Sequence, residues 1–222
     1  MTNSQKQSVI SIVENRVKKL LAKDVTGHDF YHIERVRKVA LQIAKAEGVD
    51  MFLTDLMALL HESADRKLIG KKTEAKALLE TRMFLTKLGL PEEAAEEIIY
   101  VIANQSYSKS GISGEKLDSL AGQCMQDADR LEALGAIGIA RLFTFSGKKG
   151  NPLHDPTIPV RTNLSHTEYG KYDATSINHF YEKLFKIKDL MNTDTGRKLA
   201  THRHKFMEDF LKEFFLEWEV KI

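Results

Sequence analysis

The stretch 28–47, HDFYHIERVRKVALQIAKAE, decides the fold. Ile33, Val36, Ala40, Ile43 and Ala44 recur at spacings of three and four, the period of an amphipathic helix. Gly48 comes next, where a helix C-terminus favours a left-handed residue. The same period extends outward. A helix is expected over 5–21, with Val9, Ile12, Val13, Val17 and Leu20 on one face, then a turn at Thr26 and Gly27. Beyond Gly48, Asp50 or Thr54 offers an N-cap for a helix that carries Leu53, Leu56, Met57, Leu59 and Leu60 and reaches His61. A fourth helix starts at Thr73 and ends before Gly89. Pro91 at the first helical position, with Glu92 and Glu93 behind it, opens a fifth that runs to about Asn104. The polar run SYSKSGISGEK (106–116) leads to a helix beginning near Lys116.

The segment 129–145 is rich in small residues: Ala133, Gly135, Ala136, Gly138 and Ala140. Glycine weakens a helix, so these positions point to close packing. From 146 to 172 the period disappears, and three of the four prolines (Pro152, Pro156 and Pro159) fall there. So long an irregular run reads as a mobile loop near a site or as plain disorder. Helices over 174–191 and 193–219 close the chain. No segment alternates with period two and no repeat is present, so the expected class is all-α.

Composition limits the function classes. The 222 residues carry 42% hydrophobic and 29% charged side chains, as an ordinary globular chain does. Cys124 is the single cysteine, so neither an intramolecular disulfide nor a cysteine-rich zinc site is available. A reducing, cytoplasmic setting is the expectation. No apolar run approaches a membrane span, and the N-terminal residues lack the continuous apolar stretch of a secretion signal. Lys and Arg total 33 against 31 Asp and Glu, a balance that argues against a nucleic-acid polymer as partner.

Chemistry must then come from histidines and acids. His32 shares a face with Val36, Val39 and Ile43, and His61 continues the stripe of Leu53, Met57 and Leu60. Each is either a hydrogen-bonded core residue or a ligand. His61-Glu62-Ser63-Ala64-Asp65 is similar to the zinc-protease pattern HExxH, but Asp65 replaces its second histidine, so a protease is discounted. With the helix continuing past His61, Asp65 would share its face and Glu62 would lie about 100° round. Asp129 heads the stripe Ala133, Ala136 and Ala140; a carboxylate there is an Asp–Arg pair, an N-cap or a ligand. No phosphate-binding GxxxxGK[ST], no GxGxxG and no GxSxG occurs.

His32 within HDFYHIERV (28–36), the pair His61-Glu62, and Asp129 within DADRLEALGAIGIAR (127–141) resemble the H…HD…D signature of the HD-domain metal-dependent phosphohydrolases. LMALLHESAD (56–65) and INHFYEKLFKIKDLMNTDTGRKLA (177–200) extend the resemblance to the small stand-alone bacterial members, over about 20–218. It implies a single helical domain over 1–222, with a metal-site core at about 20–145, a flexible loop at 146–172 and C-terminal helices at 174–219. It also implies one divalent ion, Mn, Fe, Mg, Co or Ni, held by His32, His61, Glu62 and Asp129. Asp65 falls where relatives place a catalytic carboxylate, and His28, Lys67, Lys183 and Lys188 are candidates to hold phosphates. Two positions depart from the pattern. Glu62 replaces the usual Asp, one methylene longer, and Gln105 stands where relatives often carry His. The implied activity is hydrolysis of a small phosphorylated metabolite, a nucleotide cut at a phosphoanhydride bond. The alternatives are a degenerate HD domain that binds nucleotide or metal without efficient turnover, and a helical interaction module with no ligand. A homodimer is left open.

Overall fold

The computed structural model describes residues 1–22, 29–65, 69–107, 116–162 and 174–221. Among these residues every regular element is helical and no strand occurs, as the periodicity predicts. They form two compact units, Met1–Ala128 and Asp129–Ile222.

In the first unit α1 (Asn3–Leu21) opens with a capping box: Gln5 N–H donates to Thr2 Oγ1 and Thr2 N–H donates to Gln5 Oε1. Its buried stripe runs Ile10, Val13, Val17, Leu21, with Val9 beside it. Ile12 and Leu20, expected on that face, are instead 44% and 45% exposed, because the stripe slopes along the three- and four-residue steps from Ile10. α2 (Phe30–Glu47) is capped by Asp29, whose carboxylate accepts from His32 N–H at 2.9 Å, and it ends on Gly48 at φ 71°. α3 (Met51–Leu60) is capped by Asp50 rather than Thr54. It is buried from Thr54 onward and packs against α1, α2 and α5. Arg37 on α2 makes a two-pronged ion pair with the buried Asp55 on α3, and its third nitrogen reaches Glu14 on α1 at 3.0 Å. One guanidinium thus joins three helices.

α4 (Glu74–Lys87) and α5 (Glu92–Asn104) form an antiparallel pair through the turn at Gly89 and Pro91. Pro91 occupies the N-cap, one position earlier than expected. α6 (Leu120–Glu132) begins four residues later than predicted, where the Ser119 hydroxyl accepts from Gly122 N–H at 3.0 Å. Gly122 is required by packing, since a Cβ there would stand 2.6 Å from Val101 Cγ2 of α5.

In the second unit α7 (Gly135–Lys149) is separate from α6. The segment 129–145 is therefore two helices, broken at Ala133 and Leu134 and turned by Gly135 at φ 75°. α7 continues past 146 to Gly150, so the irregular run starts later than expected. Residues 151–162 are tied to the helical segment that begins at Ser176. Ser176 N–H donates to Pro152 O, Asn178 Nδ2 donates to Ile158 O, and Arg161 pairs in two-pronged fashion with the buried Glu182. The segment expected as one helix over 174–191 is irregular: α8 (Ser176–His179), a π-helix at Phe180–Leu184, α9 (Phe185–Ile187) and a 3₁₀ turn at Lys188–Leu190. α10 (Asp194–Trp218) packs on α7, and its Phe210 stacks on Phe180 with ring centres 5.9 Å apart.

Candidate metal centre

His32 sits in the first turn of α2, fully buried, with its backbone N–H held by the Asp29 cap. His61 comes directly after the last residue of α3 and is also buried. Its Nδ1 lies 2.7 Å from the Ala58 carbonyl oxygen, which can only accept, so Nδ1 carries the hydrogen. In the neutral ring Nε2 is then left with its lone pair, the state in which imidazole binds metal. That lone pair faces His32. The two Nε2 atoms are 3.2 Å apart, and the rings stand at 72° with centres 5.2 Å apart.

Two nitrogens each about 2.1 Å from one ion are separated by about 3.0 Å at a right angle and by about 3.4 Å at a tetrahedral angle. The observed 3.2 Å lies between these values. Asp129, in the last turn of α6, completes a set with the two histidines. Each of the three offers a ligand atom, and these atoms all lie within 4.8 Å of one another. Its position is that of a helix already begun by residues 120–128 of the first unit. Two imidazoles and a carboxylate suit a borderline-to-hard divalent cation.

Glu62 is outside that set of three but close to it. Its Oε1 is 3.5 Å from His32 Nε2 and 3.7 Å from His61 Nε2. The backbone here is a turn, not α3: Ser63 N–H donates to Leu60 O and Asp65 N–H to Glu62 O, both at three-residue spacing. The expectation of His61 and Asp65 on one helix face is therefore corrected. The helix stops at Leu60, and Asp65 stands at the end of the turn, outside the three-ligand set.

The other candidates lie on other elements. Lys183 lies in the π-helix and Lys188 opens the 3₁₀ turn; both are half-buried. His28 and Lys67 lie outside the described residues. Gln105 is the buried C-cap of α5, and its carbonyl accepts from Gln126 Nε2 of α6 at 3.0 Å. His179, four residues before Lys183, is pushed down to about 3 by burial and then by the charges of Lys183 and Arg161, so it is neutral near pH 7. Sequence reasoning passed over Asp127, which is fully buried two residues before Asp129; the DAD spacing was the available signal.

Comparison with known proteins gives the family. The HD domain family model matches residues 29–134. The Bacillus subtilis (strain 168) protein YpgQ is 36% identical over 197 residues, covering 89% of this chain and 87% of that protein. An HD-superfamily hydrolase from Bacillus thuringiensis has 41% identity and a TM-score of 0.76, covering 96% of this chain and 98% of that one. The crystal structure of Bacillus subtilis YpgQ in complex with ADP has 33% identity and a TM-score of 0.74, covering 95% of each chain.

Proposed function

Because this chain belongs to the HD-domain superfamily, we propose that it is a metal-dependent phosphohydrolase that cleaves a phosphoanhydride bond of a nucleotide. The observation that carries the reading is the convergence of His32 Nε2, His61 Nε2 and the Asp129 carboxylate at ligand spacing. The ADP bound by the similar YpgQ supports the choice of a nucleotide. Glu62 is the proposed fourth ligand, on the strength of its approach to both imidazoles. A divalent ion so held supplies a water of lowered pKa and polarises a phosphoryl oxygen.

The chain's own groups do the rest. The Ala58 carbonyl fixes the His61 tautomer and ring plane. Asp65 is the proposed carboxylate that orients the attacking water or protonates the leaving oxygen. His28, Lys67, Lys183 and Lys188 are the proposed partners of the remaining phosphates, where fixed cations offset the charge that develops on cleavage. The reducing cytoplasm is the proposed setting, consistent with a lone buried thiol at Cys124.

One observation favours a second reading, a binding domain without efficient turnover. Glu62 Oε1 faces the two imidazoles closely enough to stabilise a proton shared between them, which would compete with a metal. Incubation with nucleoside mono-, di- and triphosphates plus Mn²⁺ or Mg²⁺ separates the two. Product that disappears in Asp129→Ala supports the hydrolase. A nucleotide-induced rise in Tm with no product from any member of the panel supports the second reading and rejects the first.

A further inference from the structure

Asp129 lies three residues from the end of α6, in the turn whose carbonyls have no partners within the helix. Any freedom in that turn becomes freedom of its carboxylate. Two of the open carbonyls are closed locally: Ala133 N–H donates to Arg130 O and Leu134 N–H to Leu131 O, each at 3.1 Å. The Leu131 oxygen also takes a second donor, Arg203 Nη1, from the distant helix α10. Arg141 Nη1 of α7 reaches Glu132 O at the longer distance of 3.4 Å.

Arg203 is unusual in how it is held. Burial pushes its guanidinium pKa down, opposed by the charge of Glu132, yet it stays cationic throughout the working range. A half-buried arginine that donates to a backbone carbonyl gives up part of its hydration for that one contact. Its stem lies over Gly135. A Cβ at that position would stand 3.2 Å from Arg203 Cγ and 3.3 Å from Arg203 Cβ. Gly135 also has φ 75°, a conformation L side chains rarely adopt. The glycine therefore both turns the chain from α6 into α7 and leaves room for the arginine stem.

We propose that Arg203 is a positioning residue for Asp129: by fixing the Leu131 carbonyl, two residues along the same turn, it sets where the carboxylate stands. The inference rests on the reading that His32, His61 and Asp129 hold a divalent ion. Arg203 is not one of the three candidate ligands, and its contact is with the Leu131 carbonyl, so the proposed effect passes through the α6 backbone. Groups that orient metal ligands from behind change metal affinity by about 10- to 100-fold when removed.

The test is titration calorimetry with Mn²⁺ alone on the full chain, with Tm measured in parallel. Arg203→Met keeps the stem and deletes every donor, and its Mn²⁺ affinity should fall about tenfold or more. Arg203→Gln, shorter but polar, carries the same expectation and stands in if the Met variant does not fold. Arg203→Lys keeps a cationic donor and should recover most of the affinity. A folded Met or Gln variant that binds Mn²⁺ within about twofold of wild type overturns the proposal, whatever its Tm, because a purely structural role lowers Tm without moving metal affinity. A loss that Lys does not reduce overturns the carbonyl contact as its cause. Absence of Mn²⁺ binding by the wild-type chain overturns the site reading itself, and the proposal with it.

Discussion

Gly138→Ala separates close packing from helix propensity because the two act in opposite directions. Gly138 is in the first turn of α7, where Ala is ordinarily favoured by about 1 kcal/mol. An added Cβ would meet the Ala133 carbonyl carbon and oxygen well inside 3.0 Å. A carbon and a carbonyl oxygen in contact stand about 3.3 Å apart or more, so the backbone must open by about 1 Å. Overpacking costs about 1–3 kcal/mol, and a clash with backbone belongs at the upper end because no side chain can rotate away. After subtracting the propensity gain, the net loss is about 2 kcal/mol. For a chain of this length that lowers Tm by about 4–8 °C. Thermal unfolding monitored by circular dichroism at 222 nm reads it. An unchanged or raised Tm would show that Ala133 and α7 are not in close contact, and would refute the argument for the break between α6 and α7.

Other parts of the molecule give three further outcomes. Asp55→Asn leaves Arg37 without its two-pronged partner; since the guanidinium is partly exposed, the loss should be about 2–3 kcal/mol by urea unfolding, and no loss would mean the pair is not formed. Burial, then Asp127 and Glu47, push the Cys124 thiol up to about 12, so a thiol reagent at pH 8 should label it only in denaturant, and labelling of the native chain would contradict its burial. The folded pKa of His179 lies below its ordinary 6.5, so the unfolded chain gains a proton first as pH falls, and stability should drop between about 6.5 and 3. His179→Asn should flatten that acid limb of Tm against pH, and an unchanged limb would reject the burial of the neutral ring.

The parts legible in the sequence are those decided locally. α2 could be read because its apolar residues repeat at helical spacing and Gly48 marks its C-terminal end, while its start at the Asp29 cap falls just after the expected His28. His32 could be placed on its buried face for the same reason. The end of α3 could not be read, because no breaker comes directly after Leu60 and His61 keeps helical backbone angles, φ −58° and ψ −29°. That hid the true position of Asp65. The break after Glu132 was harder to read, since Ala133 and Leu134 are good helix formers and Gly135, which turns the chain there at φ 75°, is one of several small residues in the run. The π-helix at Phe180–Leu184 contains Glu182, which pairs with Arg161, a contact between residues 21 apart that no local pattern encodes.

The central claim is that two imidazoles and a carboxylate form one cation site. Metal content and Mn²⁺ titration of the wild type, His61→Ala and Asp129→Ala test it without reference to any substrate. The account predicts one Mn²⁺ per chain for the wild type and a loss of binding in both variants, with helical circular dichroism retained. Equal Mn²⁺ binding in all three proteins, or none in the wild type, would contradict it.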